Sequence, residues 1–253
     1  MSVDRFLNAP TSGKGTPESQ WAAADLRFPE FSLDGCERLV IIAPHPDDEV
    51  LGVGGIATSA AERGIETHAV IVTDGQSSHP GSPTYTPNQL AALRRIESAR
   101  ANATLGLRKP VHLGFTDGQV ETSEKTLARA LKQYVDNSWV LVTWAGDGHP
   151  DHEACARATR LACADTGSRV LEYPIWMWHW ALPQDTDVPW GRARRFDLST
   201  TSAARKADAV NAFTTQIRPL SEHPADAAVL PSHVLERLLR PYEVVLISED
   251  DGK

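Results

Sequence analysis

The sequence is short of cysteine, of long apolar runs and of positive charge, and each shortage closes off a class of protein. It has 3 cysteines among 253 residues. Cys36, Cys155 and Cys163 are odd in number and form no C-x-x-C pair, which argues against a disulfide framework and against a thiolate zinc site. They read as reduced structural residues. No stretch approaches the roughly 20 apolar residues of a membrane span, and the N-terminal segment has no apolar signal core. A membrane span is therefore not expected, and the expected location is cytoplasmic. Positive charge is in deficit as well: 25 Lys and Arg stand against 33 Asp and Glu, a formal net charge of -8. Such a field disfavours phosphate backbones, so nucleic acid is not an expected partner.

What is present is an ordinary globular composition, 41% hydrophobic and 23% charged, in a chain long enough to bury a sizeable core. A single domain over residues 1–253 is the simplest organisation. Residues 1–35, rich in Pro, Gly, Ser and Thr without a clear period, read as a loosely ordered N-terminal arm. Residues 183–253 read as a C-terminal subdomain that shapes the substrate site.

Between these ends, strands and helices alternate. Leu39 to Ala43 is a short continuous apolar run of the kind buried on both faces of a parallel sheet. Val50 to Arg63 has helical spacing and stops at Gly64. Glu66 to Thr73 gives a second strand and Asp74 to Pro87 a long loop, a feature that in compact domains often carries function. A helix capped by Thr86 runs to about Leu105. Pro110 to Phe115, Ser123 to Tyr134, Trp139 to Thr143 and Asp151 to Ala164 continue the alternation, and a fifth strand is expected over Val170 to Trp180. Arg194 to Leu198, Ala203 to Phe213, Pro231 to Leu239 and Val244 to Ile247 follow as strand, helix, helix and strand. This pattern predicts an α/β, Rossmann-like, mostly parallel sheet with helices on both faces and ligands at the carboxyl ends of its strands.

Two histidine-acid clusters fall immediately after predicted strands: His45-Pro46-Asp47-Asp48-Glu49 and His149-Pro150-Asp151-His152. Nitrogen and carboxylate oxygen ligands suit Zn²⁺, and a catalytic zinc keeps three protein ligands and one open position. His45 with one of the adjacent aspartates would give two ligands, and His152 is the natural third. Successive side chains diverge, so the second aspartate would stand beside the bound water as a general base. Gly52-x-Gly54-Gly55 invites a dinucleotide-binding reading. The third glycine spacing is missing and acids occupy the turn where an anion would sit, so close helix packing is the better reading. His68, His112, His223 and His233 read as structural, while His79 in the long loop is a candidate to overhang the site.

Ala43 to Glu49 followed by Leu51-Gly52-Val53-Gly54-Gly55, together with Gly148-His149-Pro150-Asp151-His152, resembles the PIG-L/LmbE family of zinc-dependent de-N-acetylases. Val72-Thr73-Asp74-Gly75, Arg94 with Glu97, Leu105-Gly106 and Leu113 to Gly118 resemble that family's intervening pattern. The resemblance covers roughly residues 38 to 160. It implies an LmbE-like fold, with His45, Asp48 and His152 holding one Zn²⁺ per chain, although Fe²⁺ or Co²⁺ also suits two histidines and a carboxylate. It implies Asp47 as the base, His149 as an imidazolium stabilising the oxyanion and Asp151 as a carboxylate orienting a histidine ring. Arg94 and Asp117 match positions near the substrate. Beyond about residue 165 the pattern thins. There Trp176, Trp178 and Trp180 would share one face of a strand and Met177 and His179 the other, making Trp178 and His179 candidates for a wall against a sugar ring.

The implied activity is removal of an N-acetyl group from an amino-sugar-like substrate or glycosylated metabolite. The alternatives are an amidase acting on a non-acetyl amide, such as a thiol conjugate or a natural-product side chain, and a catalytically silent metal-binding module. The expected partner is a small N-acetylated molecule, and a homo-oligomer is compatible with the sequence.

Overall fold

The computed structural model describes residues 13–248. Arg38–Ala43 (β1), Glu66–Thr73 (β2), Val111–Phe115 (β3), Trp139–Thr143 (β4), Arg169–Tyr173 (β5), Ala193–Asp197 (β6) and Tyr242–Leu246 (β7) form one seven-stranded sheet in the order β3-β2-β1-β4-β5-β7-β6. The first five run parallel, and β7 joins β5 antiparallel and pairs antiparallel with β6. The expected α/β, mostly parallel architecture is thus observed. The order in which strands are added reverses between β1 and β4, so a crevice opens at their carboxyl ends, where this class of sheet binds ligands.

Strand β1 reads as uninterrupted apolar sequence because both of its faces are covered. Leu39 and Ile41 pack into one core cluster with Val50, Leu51, Ile56 and Ala57 of helix α2 (Asp48–Glu62); Glu18–Ala23 is α1. Val40 and Ile42 pack into the other with Leu127 and Leu131 of α4 (Glu124–Val135) and with Ala154 to Ala162 of α5 (Pro150–Cys163). The period of two along the strand sorts the residues between these layers. Helix α3 (Pro87–Thr104) begins with a capping box between Thr86 and Gln89, the start that its sequence announced. All three cysteines are buried and unpaired.

Helix α2 is broken at Val53, whose backbone leaves the helical region. The break frees amide donors, and the buried Glu243 carboxylate of β7 accepts from Gly55 and Ile56 at 2.8 and 2.7 Å. Lys206 of α7 (Thr200–Val210) neutralises it at 2.7 Å. The glycines here serve packing: a Cβ on Gly52 would lie 2.2 Å from the Tyr173 ring, and one on Gly55 would lie 2.4 Å from Leu198.

Two expectations differ from the structure. Residues 1–12 lie outside the described residues, but the rest of the stretch read as a loose arm is packed. Trp21, Phe31 and Leu33 are buried in the main core, Glu18 pairs with Arg240 at 2.6 Å, and the Trp21 indole donates to the Trp178 carbonyl. Single anchors at irregular spacing hold the segment, so no period reveals it. The expected fifth strand ends early, at Tyr173. Pro174 cannot continue the ladder, and Met177–Trp180 (α6) makes one helical turn instead. Trp176, Trp178 and Trp180 therefore do not share a face. After α7, the chain completes its course with α8 (Thr214–Ile217) and α9 (Ser232–Leu238) before β7.

Candidate active site

The two histidine-acid clusters meet at the crevice. His45 follows β1, Asp48 opens α2, and His152 lies in the first turn of α5 after β4. One ligand atom from each of His45, Asp48 and His152 lies within 4.8 Å of the others, and all three residues are buried. Asp48 Oδ2 is 3.2 Å from His45 Nδ1 and 3.3 Å from His152 Nε2. His152 Nε2 is buried without a hydrogen-bond partner, an arrangement that costs free energy unless something else occupies its lone pair.

The carboxylates behind the two rings fix which nitrogen faces inward. His152 Nδ1 is 2.8 Å from Asp147 Oδ2, leaving Nε2 toward Asp48. His45 Nε2 is 3.1 Å from Asp117 Oδ1 and 3.4 Å from Asp151 Oδ2, leaving Nδ1 toward Asp48. Asp151 is itself fixed by the amides of Gly118 and Val120, and Asp117 accepts from the Ser77 amide at 2.7 Å. Carboxylates that set the tautomer of a histidine ligand are the ordinary outer layer of a metal site.

Electrostatics agree with this donor set. Burial alone would lower the His45 and His152 imidazoles, yet the surrounding carboxylates push His45 well above its ordinary value and His152 up to about 9. Burial would raise the Asp48 carboxyl, but His152 and His45 hold it far below the usual carboxylate range. The pocket thus stabilises positive charge at its centre, which a divalent cation supplies. Two imidazoles and one carboxylate with pre-set tautomers fit such an ion.

Asp47 sits beside this centre in a left-handed backbone conformation, φ 140°, a cost that persists only where the surroundings impose it. The buried Glu49 imposes it: one of its oxygens accepts from the Asp47 amide at 2.9 Å, and the other takes Ser98 and Asn102 of α3. Arg94, 3% exposed, donates to Asp47 Oδ2 at 2.9 Å and to the carbonyls of Pro46 and Gly75. Gly75, with φ 62°, leaves the room, since a Cβ there would lie 1.8 Å from the guanidinium. Burial raises the Asp47 carboxyl to about 7, with Arg94 pulling the other way. His149 Nδ1 accepts from the Asp151 amide, so the neutral ring carries its proton on Nε2. Burial, then His152 and His45, push His149 well below its ordinary value, which favours that neutral form over the expected imidazolium.

A cavity of about 310 Å³ opens over these groups and is lined by His45, Asp47, Asp48, Arg94, Asp117 and His149. Trp176, Gln216, Val229 and Leu230 close it from the C-terminal part. The structure does not bring Trp178 and His179 to this cavity. Trp178 packs edge-on against Trp21 at 5.0 Å under the Arg240 guanidinium, and the buried His179 ring is 2.9 Å from Arg237. The helical turn that replaced the expected strand redirected both. His79, the other loop candidate, is buried next to Ser78 and is not among the residues lining the cavity.

Sequence reasoning assigned no role to Asp147, Glu49 or Gln216. Asp147 Oδ1 accepts from the amides of Ile175 and Met177, and Oδ2 from that of Trp176, so one buried carboxylate both caps α6 and orients His152. Its place two residues before His149 was the available signal.

Residues 40–163 match the sequence model of the PIG-L family, described as GlcNAc-PI de-N-acetylase. The uncharacterized deacetylase YaiS of Escherichia coli (strain K12) is 29% identical over 143 residues, 53% of this chain and 72% of that protein. The probable N-acetyl-alpha-D-glucosaminyl L-malate deacetylase 2 of Bacillus subtilis (strain 168) is 30% identical over 129 residues, 48% of this chain and 58% of that protein. Among solved structures, the N,N'-diacetylchitobiose deacetylase from Pyrococcus horikoshii superposes with a TM-score of 0.56 at 21% identity, covering 74% of this chain and 72% of that one. That likeness speaks to the fold.

Proposed function

We propose, from the match of residues 40–163 to the PIG-L family model, that the chain is a metal-dependent deacetylase that hydrolyses the N-acetyl group of an amino-sugar-like substrate. The single observation that carries the reading is the convergence of His45, Asp48 and His152 within 4.8 Å at the sheet's switch point, with Asp47 held beside them. His45 Nδ1, Asp48 and His152 Nε2 would hold the ion, and zinc is the preferred choice for that donor set. When bound, such an ion polarises an amide carbonyl and acidifies water.

The protein's own groups divide the remaining work. Asp47, raised to about 7, is matched to taking a proton from the attacking water near neutral pH. The His149 Nε2–H donates to the oxygen that gains negative charge as water adds to the carbonyl carbon. Return of the proton from Asp47 to the nitrogen breaks the C–N bond and releases acetate and a free amine. Asp151 and Asp117 hold the His45 ring, and Asp147 holds that of His152. Arg94 positions Asp47 and borders the substrate, and Asp117 lines the same cavity. Expected partners are small N-acetylated molecules, and the C-terminal wall of the cavity shapes which of them enter. Among the described residues no helix is long and apolar enough to cross a membrane.

Metal analysis with an acetate-release assay tests the proposal. The expected result is about one zinc per chain, acetate from N-acetylated sugars, and an Asp47→Ala variant that keeps the metal but not the turnover. Metal without acetate release would favour the non-acetyl amide. Failure to bind a divalent ion would overturn the enzyme reading.

A further inference from the structure

The far wall of the cavity holds an acceptor whose orientation the hydrogen-bond network fixes. Glu97 of α3 accepts from the Thr214 hydroxyl at 2.7 Å, from the Thr215 amide at 2.8 Å and from the Thr215 hydroxyl at 2.7 Å. The Thr215 hydroxyl has thereby spent its one proton and can only accept. The side-chain atom of Gln216 that lies 2.9 Å from it must then be the donating Nε2, which removes the usual ambiguity of an amide flip. Gln216 Nε2 also approaches Ser78 Oγ at 3.5 Å. Its Oε1 has no protein donor among the described residues, and Gln216 is one of the residues that line the cavity. This oxygen accepts and cannot donate, so it suits a hydroxyl and repels a carboxylate or phosphate oxygen.

The protein's own charges around it point the same way, three carboxylates offsetting the divalent ion of the proposed function together with the Arg94 guanidinium. Among the described residues, Arg94 is the one Lys or Arg lining the cavity, and its guanidinium is engaged with Asp47, Pro46 and Gly75. Asp47, Asp48 and Asp117 line the same space. An anionic group would have to displace Asp47 from Arg94 and so disturb the base. Leu51, Trp176, Val229 and Leu230 supply the apolar part of the wall, beside Ser77 and Ser78.

We propose that this subsite selects uncharged glycosides, Gln216 Oε1 accepting a sugar hydroxyl while Trp176, Val229 and Leu230 cover an apolar group carried by the sugar. The inference rests on the deacetylase reading for its chemistry, but it concerns binding and is testable apart from turnover.

The test titrates the metal-loaded protein calorimetrically with phenyl glucoside, methyl glucoside and glucose 1-phosphate, and measures acetate release from the matching N-acetylglucosaminides. The phenyl compound is expected to bind and turn over about tenfold better than the phosphate, the scale of a single well-placed polar or apolar contact. In Gln216→Leu the KM for the phenyl substrate is expected to rise more than kcat falls, and the discrimination against phosphate to shrink. Equal or better binding of the phosphate by the unaltered protein overturns the proposal, whatever the variant does. Preferential binding of the phenyl glucoside with no acetate released from any member supports the subsite and overturns the deacetylase reading, so the two failures are distinguishable.

Discussion

The two regions that meet over the cavity are built on different principles. On the side supplied by residues 40–163, the functional side chains are held by charged hydrogen bonds whose acceptors are saturated: Glu49 takes Asp47, Ser98 and Asn102, and Asp147 takes His152 and three amides. On the side supplied by the segments after β5, the cavity wall consists of Trp176, Val229 and Leu230 with one oriented amide. Charged networks in a low dielectric lose most of their value when one member is removed, whereas an apolar wall changes in proportion to the area it covers. On the proposed function, the first side holds one constellation and the second grades substrates.

If this division is right, substitutions on the first side change rate and metal affinity, and those on the second change substrate preference. The largest effect is expected from Asp47→Asn. Loss of a positioned base typically costs on the order of 10²–10⁴ in kcat, with bound metal unchanged by elemental analysis. A variant retaining more than a tenth of the activity would remove Asp47 from the chemistry. Next is Asp147→Asn, which leaves the shape but can no longer hold the proton of His152 Nδ1 as a carboxylate does. A fall of about 10–100-fold in metal affinity, read by chelator competition, is the scale for such outer partners. Unchanged affinity would reduce Asp147 to a cap of α6.

Arg94 lies on the boundary of the comparison. Its guanidinium is one of the charges holding the Asp47 carboxyl down from where burial would place it. A base works deprotonated, so activity is lost as pH falls through its pKa, here about 7. Arg94→Gln is expected to shift the acid limb of the kcat profile to higher pH. A pure substrate contact would instead raise KM and leave the limb in place, moving Arg94 to the second side.

The same division explains what the sequence made legible. His45, Asp47 and Asp48 fall within four residues, as do His149 and His152, and each run follows an apolar strand, so the topology rule alone delivered them to one rim. The parallel core was equally readable, because β1, β2 and β4 are apolar runs of strand length. Partnerships across long separations were not. Nothing local ties Asp147 to the amides of residues 175–177, or Glu97 to Thr215 and through it to Gln216. Trp176 to Trp180 misled for a different reason: the residues alternate with the period of a strand, while Pro174 and the waiting Asp147 carboxylate turn the chain into a helix. Residues 13–35 have no period at all, and their burial depends on Trp21, Phe31 and Leu33 meeting partners far along the chain.

The smallest effect is expected at Val229, and it discriminates most finely between the two sides. Val229 is half-buried at the cavity, far in the chain from His45, Asp48 and His152. Val229→Ala removes two methyl groups, worth about 0.8 kcal/mol each when fully buried. Because the side chain is only partly covered, an increase in KM of about two- to fivefold is the reasonable scale for a substrate whose apolar group reaches it. A substrate bearing only a methyl substituent should lose less. Metal affinity and the acid limb should stay where they were, since no hydrogen bond of the Asp47 or Asp147 networks passes through residue 229. A shift in either would mean that the C-terminal wall helps hold the constellation, and the separation of rate from preference would fail at its weakest contact.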